Sequence, residues 1–160
     1  MATQGGFVEW IREIMGTTTA QLPDNSPYIG YAYEASIQLV NLQIAQVTGI
    51  SPPNPKWTLY DLAVYNLGGD FLVQWASDPT GAPVFMDGLP YWAYLRKAWG
   101  VNNFVAGVVN SASDQGTSET MLVPDFFKGL TFSDLQNLKT PYGRMYLSIA
   151  QRVGSLWGVT

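Results

Sequence analysis

Cysteine and histidine are both absent from this sequence. Their absence removes disulfides, thiolate nucleophiles and Cys/His metal sites. It also removes the base from any Ser–His–Asp triad or Cys–His dyad. A Ser–Lys dyad would need neither residue, but no Ser-x-x-Lys occurs, and no Gly-x-Gly-x-x-Gly or Gly-Lys-Ser/Thr phosphate loop is present. Asp114-Gln115-Gly116 resembles a fragment of a calcium loop without the spaced acids such a loop requires. No uncharged apolar run reaches about 18 residues, so no membrane-crossing helix is expected. Met1 to Met15 has Glu9, Arg12 and Glu13 inside its apolar pattern, which does not fit a signal peptide. No cofactor or metal is expected.

Charge is scarce as well. Only 12% of residues are charged, about half the share in an average globular domain. Hydrophobic residues reach 47% and aromatics 14%. Twenty charged side chains cover the surface of a 160-residue domain thinly. The composition therefore points to apolar surface that is covered in the working state, and Tyr, Trp, Phe and Met are the residues that enrich interface cores. The net charge of −4 is uneven: residues 1–95 carry −6 and residues 96–160 carry +2. That basic minority is too dispersed for a nucleic-acid footprint. It suits head-to-tail packing of an acidic face on a basic one.

The periodicity predicts a mainly α fold, a single domain over 1–160 with about five helices. Phe7, Trp10, Ile11 and Ile14 recur at helical spacing before Gly16. Ser26-Pro27 opens a second helix, predicted to reach about Val47. Ile29, Tyr33, Ile37, Val40, Ile44 and Val47 form one apolar stripe on it; Tyr31, Ala35, Leu39 and Leu42 form another. A helix apolar on two sides is wedged between two layers, the second belonging to this chain or to a neighbour. Thr58 and Asp61 read as a capping box for a third helix to about Ala76, apolar almost all round, which Gly68-Gly69 should weaken or kink. Asp78-Pro79-Thr80-Gly81 is a turn, and Leu89 to Trp99 a fourth helix stopped by Gly100. Phe104 to Val109 and Thr120 to Val123 read as strands of a protruding β-hairpin, spanning 101–123, around a polar tip from Asn110 to Glu119. Thr131 or Ser133 caps a short helix through Leu138. Thr140-Pro141 opens the last helix, with Tyr142, Met145, Tyr146, Ile149 and Val153 on its apolar stripe, and residues 155–160 form an extended tail.

The acids offer little chemistry. Glu9 and Glu13 sit one turn apart on a solvated face, and Asp61 and Asp70 are nine residues apart and point to nearly opposite sides of their helix. Asp70, in an apolar helix, is the candidate for a structural ion pair, with Arg96, Arg144 or Arg152 as partner, unless it faces solvent at a kink. Tyr91, Trp92, Tyr94, Arg96 and Trp99 form an aromatic–basic cluster that could hold a sugar or a peptide; core or interface packing explains it better.

The helix from Pro27, the hairpin at Phe104–Val123 and the final segment Thr140-Pro141-Tyr142-Gly143-Arg144 to Trp157 together resemble the head–tail adaptor (connector) proteins of tailed bacteriophages. The resemblance covers most of the chain and rests on architecture and composition. It implies a non-enzymatic virion subunit, made in the host cytoplasm. Copies would form a ring, usually of twelve, that joins the portal protein to tail or nozzle proteins and extends the DNA channel. Double-stranded DNA would pass through without specific binding. Phe104, Val108, Met121 and Leu122 of the hairpin, with Arg144, Arg152 and Trp157, are the interaction residues it suggests. The alternatives are another virion part (tail terminator, neck or decoration subunit) and a small sugar- or peptide-binding module.

Overall fold

The computed structural model describes residues 1–46, 56–102, 111–114, 117–120 and 136–152. Among them are five α-helices: α1 (Gln4–Glu13), α2 (Pro27–Leu39), α3 (Leu59–Trp75), α4 (Tyr91–Ala98) and α5 (Pro141–Arg152). The mainly helical class is as expected. Helix α3 is the axis of the molecule. It is buried along nearly its whole length, and α1, α2, α4 and α5 all pack on it.

The start of α3 follows from two side chains. Thr58 Oγ1 accepts from Asp61 N at 3.2 Å, and Asp61 Oδ2 accepts from Thr58 N at 2.9 Å. Aspartate therefore closes the capping box in place of the usual glutamate. Downstream, the helix runs unbroken through Gly68-Gly69 to Trp75. The glycines make room for α1. A Cβ at Gly68 would lie 2.7 Å from Phe7 Cζ, and one at Gly69 would lie 2.8 Å from Trp10 Cη2. Each glycine costs a helix about 1 kcal/mol relative to alanine. Fully burying Phe7 or Trp10 contributes about 2–3 kcal/mol each, so close approach outweighs propensity.

Phe7 stacks on Tyr33 of α2 at 6.1 Å between ring centroids, and Trp10 meets Tyr142 of α5 edge-on at 5.5 Å. Helix α1 therefore lies between α2 and α5. Ile14, expected on the buried stripe, is 53% exposed. The helix stops at Glu13 and Gly16 turns the chain at φ +67°, so Met15 takes the inward place. Arg12 closes the following loop, donating to Thr17 O at 2.7 Å and Leu22 O at 2.5 Å and pairing with Asp24.

Helix α2 is shorter than expected. It ends at Leu39; Val40 is extended, and the chain resumes as a 3-10 turn over Leu42–Gln46. The Asn41 side chain accepts from Gln43 N at 2.8 Å, a local bond that competes with the helical ladder. Pro27 occupies the first turn, but Ser26 makes no side-chain cap bond. Val47 lies outside the described residues.

Helix α4 begins at Tyr91, and its cap comes from far away in sequence. The Asp78 carboxylate accepts from Trp92 N at 2.9 Å and Ala93 N at 3.0 Å. Its end is a Schellman motif: Gly100, at φ +61°, donates to Lys97 O and Val101 N donates to Arg96 O. Arg96 reaches the carbonyls of Gln74 and Ala76 at the end of α3, where the helix dipole favours a cation.

Two expectations need correction. The apolar stripe of α5 holds in part: Tyr142, Tyr146 and Ile149 pack on the core as expected, joined by Gly143, Leu147 and Ala150, while Met145 is 53% exposed and Val153 lies outside the described residues. Gly143 marks a close approach of backbones, because an added Cβ would fall 2.1 Å from the Asn137 carbonyl oxygen. The protruding hairpin is not supported. A four-pair antiparallel ladder joins Ser111–Asp114 to Thr117–Thr120, all but Thr120 inside the stretch read as the polar tip. Except for Thr120, the predicted strand residues 104–109 and 120–123 lie outside the described residues, as do residues 155–160 of the tail and Thr131 and Ser133 of the short helix.

Candidate functional site

Asp70 is fully buried. Gln74 Nε2 donates to its Oδ2 at 2.6 Å, and the Thr140 hydroxyl donates to its Oδ1. Thr140 Oγ1 in turn accepts from Gly143 N at 2.9 Å. One hydroxyl thus caps α5 and ties that cap to the carboxylate in the middle of α3. Arg96, Arg144 and Arg152 are not its partners. Arg96 is bonded to backbone carbonyls and Arg144 donates to Leu138 O at 3.0 Å, and none of the salt bridges among the described residues involves Asp70. Burial without a cation pushes the Asp70 carboxyl up from 3.8 to about 6, against the smaller opposing effect of the Thr140 and Gln74 hydrogen bonds.

Four other acids are committed elsewhere. Asp61 caps α3, Asp78 caps α4, and Glu9 and Glu13 both hold Lys56, at 3.0 and 2.5 Å. Among the described residues, no group of three or more His, Cys, Asp or Glu side chains converges, and no helix is long and apolar enough to cross a membrane.

The aromatic cluster on α4 is mostly turned inward. Trp92 is buried and donates through Nε1 to Gln21 O at 3.1 Å. Tyr91 packs edge-on against Phe85 and Trp92, and Trp99 packs edge-on against Tyr142. Burial also lifts the Tyr142 phenol, to about 12. A cleft beside Tyr91, lined by Gln21, Asp78, Val84 and Phe85, has a volume of about 70 Å³. Pockets that enclose a small molecule run to about 300 Å³ or more.

The unusual feature is outside. The second apolar stripe, running from α2 into the 3-10 turn, is largely exposed: Tyr31 is 62% exposed, Leu39 63% and Leu42 62%, with Ala35 between them half-buried. On α5, Met145 is exposed between Arg144 and Arg152, which are exposed too. A separate apolar tip, Val84-Phe85-Met86, precedes the turn at Asp87-Gly88. Of the interaction residues expected from the sequence, Arg144 and Arg152 are therefore at the surface of α5. Phe104, Val108, Met121, Leu122 and Trp157 lie outside the described residues. The exposure of Tyr31, Leu39 and Leu42 was missed as a site, although the double apolar stripe was its signal. No family model, curated protein or solved structure matches this chain.

Proposed function

We propose that this chain is a non-enzymatic structural subunit of a tailed bacteriophage, one of the copies forming a ring at the head–tail junction between portal and tail proteins. One observation carries the assembly part of this reading. Among the described residues, five packed helices leave the large apolar side chains Tyr31 and Leu39 of α2, and Leu42 of the 3-10 turn after it, exposed. Large contiguous apolar surface marks a contact site, and a chain with so few charges has little else to solvate that face. The place in the virion rests on the resemblance in element order and composition, with the DNA channel continuing through the ring and no specific grip on the duplex.

The mass of the purified protein, measured by light scattering alone and then with portal and tail proteins, tests the reading. A closed ring, alone or formed on a partner, is the expected result. A monomer that joins none of these partners overturns it.

A further inference from the structure

We infer that copies of this chain join head to tail, the outward face of α2 in one copy seating on the outward face of α5 in the next. This rests on the reading of the chain as a self-assembling subunit and adds which two faces meet.

The two faces are complementary in charge. Helix α2, PYIGYAYEASIQL, contains no base, and α5, PYGRMYLSIAQR, contains no acid. Tyr31 and Leu39 are eight residues apart, so they fall in one row along α2, with Glu34 beside Tyr31 one turn on. On α5, Arg144 and Arg152 are likewise eight apart, and Met145, seven residues before Arg152, lies two turns from it on the same face. Glu34, Arg144 and Arg152 have no ion-pair partner among the described residues. An apolar centre with an unpaired acid therefore stands on one helix, and an apolar centre with two unpaired bases on the other. Pairing like with like would bring together two faces whose only charge is acidic, or two whose only charge is basic, which disfavours a two-fold dimer through either face.

Their placement allows both contacts at once. Helices α2 and α5 both pack on α3, and α1 separates them, with Phe7 on Tyr33 and Trp10 on Tyr142. A subunit can then hold one neighbour by α2 and another by α5. A contact between unlike patches propagates, closing into a ring where the rotation permits and into a filament where it does not.

Two single variants test this. Leu39→Arg puts a cation on the α2 face that repels the arginines of α5. Met145→Arg puts one on the apolar centre of the α5 face. Both positions are exposed, so each variant should keep the wild-type helical circular dichroism and melting curve. Each alone should lose self-association by about tenfold or more and run as a monomer. Mixed in equal amounts, they retain one intact pair of faces and should give a heterodimer and nothing larger. Two altered faces cannot rescue each other, since both carry added positive charge. If Leu39→Arg fails to fold, Glu34→Arg takes its place. A wild type that assembles while either variant assembles equally well, or while the mixture stays monomeric, overturns the assignment of faces and leaves the ring reading intact. A wild type that assembles neither alone nor with portal and tail proteins overturns both.

Discussion

A buried carboxylate with two neutral donors and no cation is a liability at neutral pH, and Asp70 makes that liability measurable. Its folded value of about 6 lies above the ordinary 3.8. Below 3.8 both folded and unfolded chains hold the proton. Between 3.8 and about 6 the folded state binds a proton that the unfolded state has lost. The contribution of this group to stability is therefore full below 3.8 and declines as pH rises to about 6. Two pKa units set the total at about 3 kcal/mol. Asp70→Asn keeps the shape and an acceptor for Thr140, and Gln74 can turn its amide to accept from the new NH₂. The melting temperature of Asp70→Asn relative to wild type should thus rise from about pH 4 to about pH 6 and level off above it. A difference that stays flat across that range would mean Asp70 does not titrate there. Thr140→Val removes the cap and one of the two donors together, and denaturant melts should show a loss of about 2–3 kcal/mol near neutral pH.

At the scale of the helix, glycine is where local propensity and packing part company. Propensity alone says that alanine at any of these helical glycines gains about 1 kcal/mol. At Gly30 of α2 that gain is available, since the nearest atom to an added Cβ is Gln4 Nε2 at 3.9 Å. Gly30→Ala should stabilise the protein by about 0.5–1 kcal/mol. Gly68→Ala should reverse the sign, because the methyl group meets the Phe7 ring and forces α1 outward, at a cost of about 1–3 kcal/mol. Gly143→Ala should cost more than Gly68→Ala, since the obstacle is the Asn137 backbone rather than a side chain. Urea melts of the three variants check the order, and a stabilising Gly68→Ala would refute the account of α1 seating on α3. The sequence signalled the element boundaries that depend on near neighbours: Thr58 with Asp61, Thr140 with Pro141, Gly100 after Trp99. It did not signal the Asp78 cap on α4, which acts across fourteen residues, nor the break at Val40, which a continuous apolar period concealed.

For the whole molecule, the decisive property is the surface left over once the helices have packed. The assembly proposed here combines an apolar seam with three exposed charges, and salt separates the two. Screening reaches full strength within a few ångströms at about 1 M salt, so steering by Glu34, Arg144 and Arg152 is lost while the Tyr31–Leu39 seam is not. Time-resolved light scattering should show slower assembly at high salt with the same final mass. A rate indifferent to salt would remove the charged rim from the mechanism. This surface was half legible. Two apolar stripes on one helix called for two partners, but periodicity assigns no partner to either.

Composition and local pattern determined the helical class, most helix starts, the central apolar helix and the shortage of charge that makes bare apolar surface conspicuous. Those properties depend on residues within a turn or two of each other, where spacing along the chain is spacing in space. Only the tertiary structure decided that Asp70 rests on Thr140 and Gln74 rather than on an arginine, that the paired glycines admit Phe7 and Trp10, and that the Ile29 stripe is buried while the Tyr31 stripe is not. Each of these joins groups far apart in the chain, and burial is settled by which elements meet.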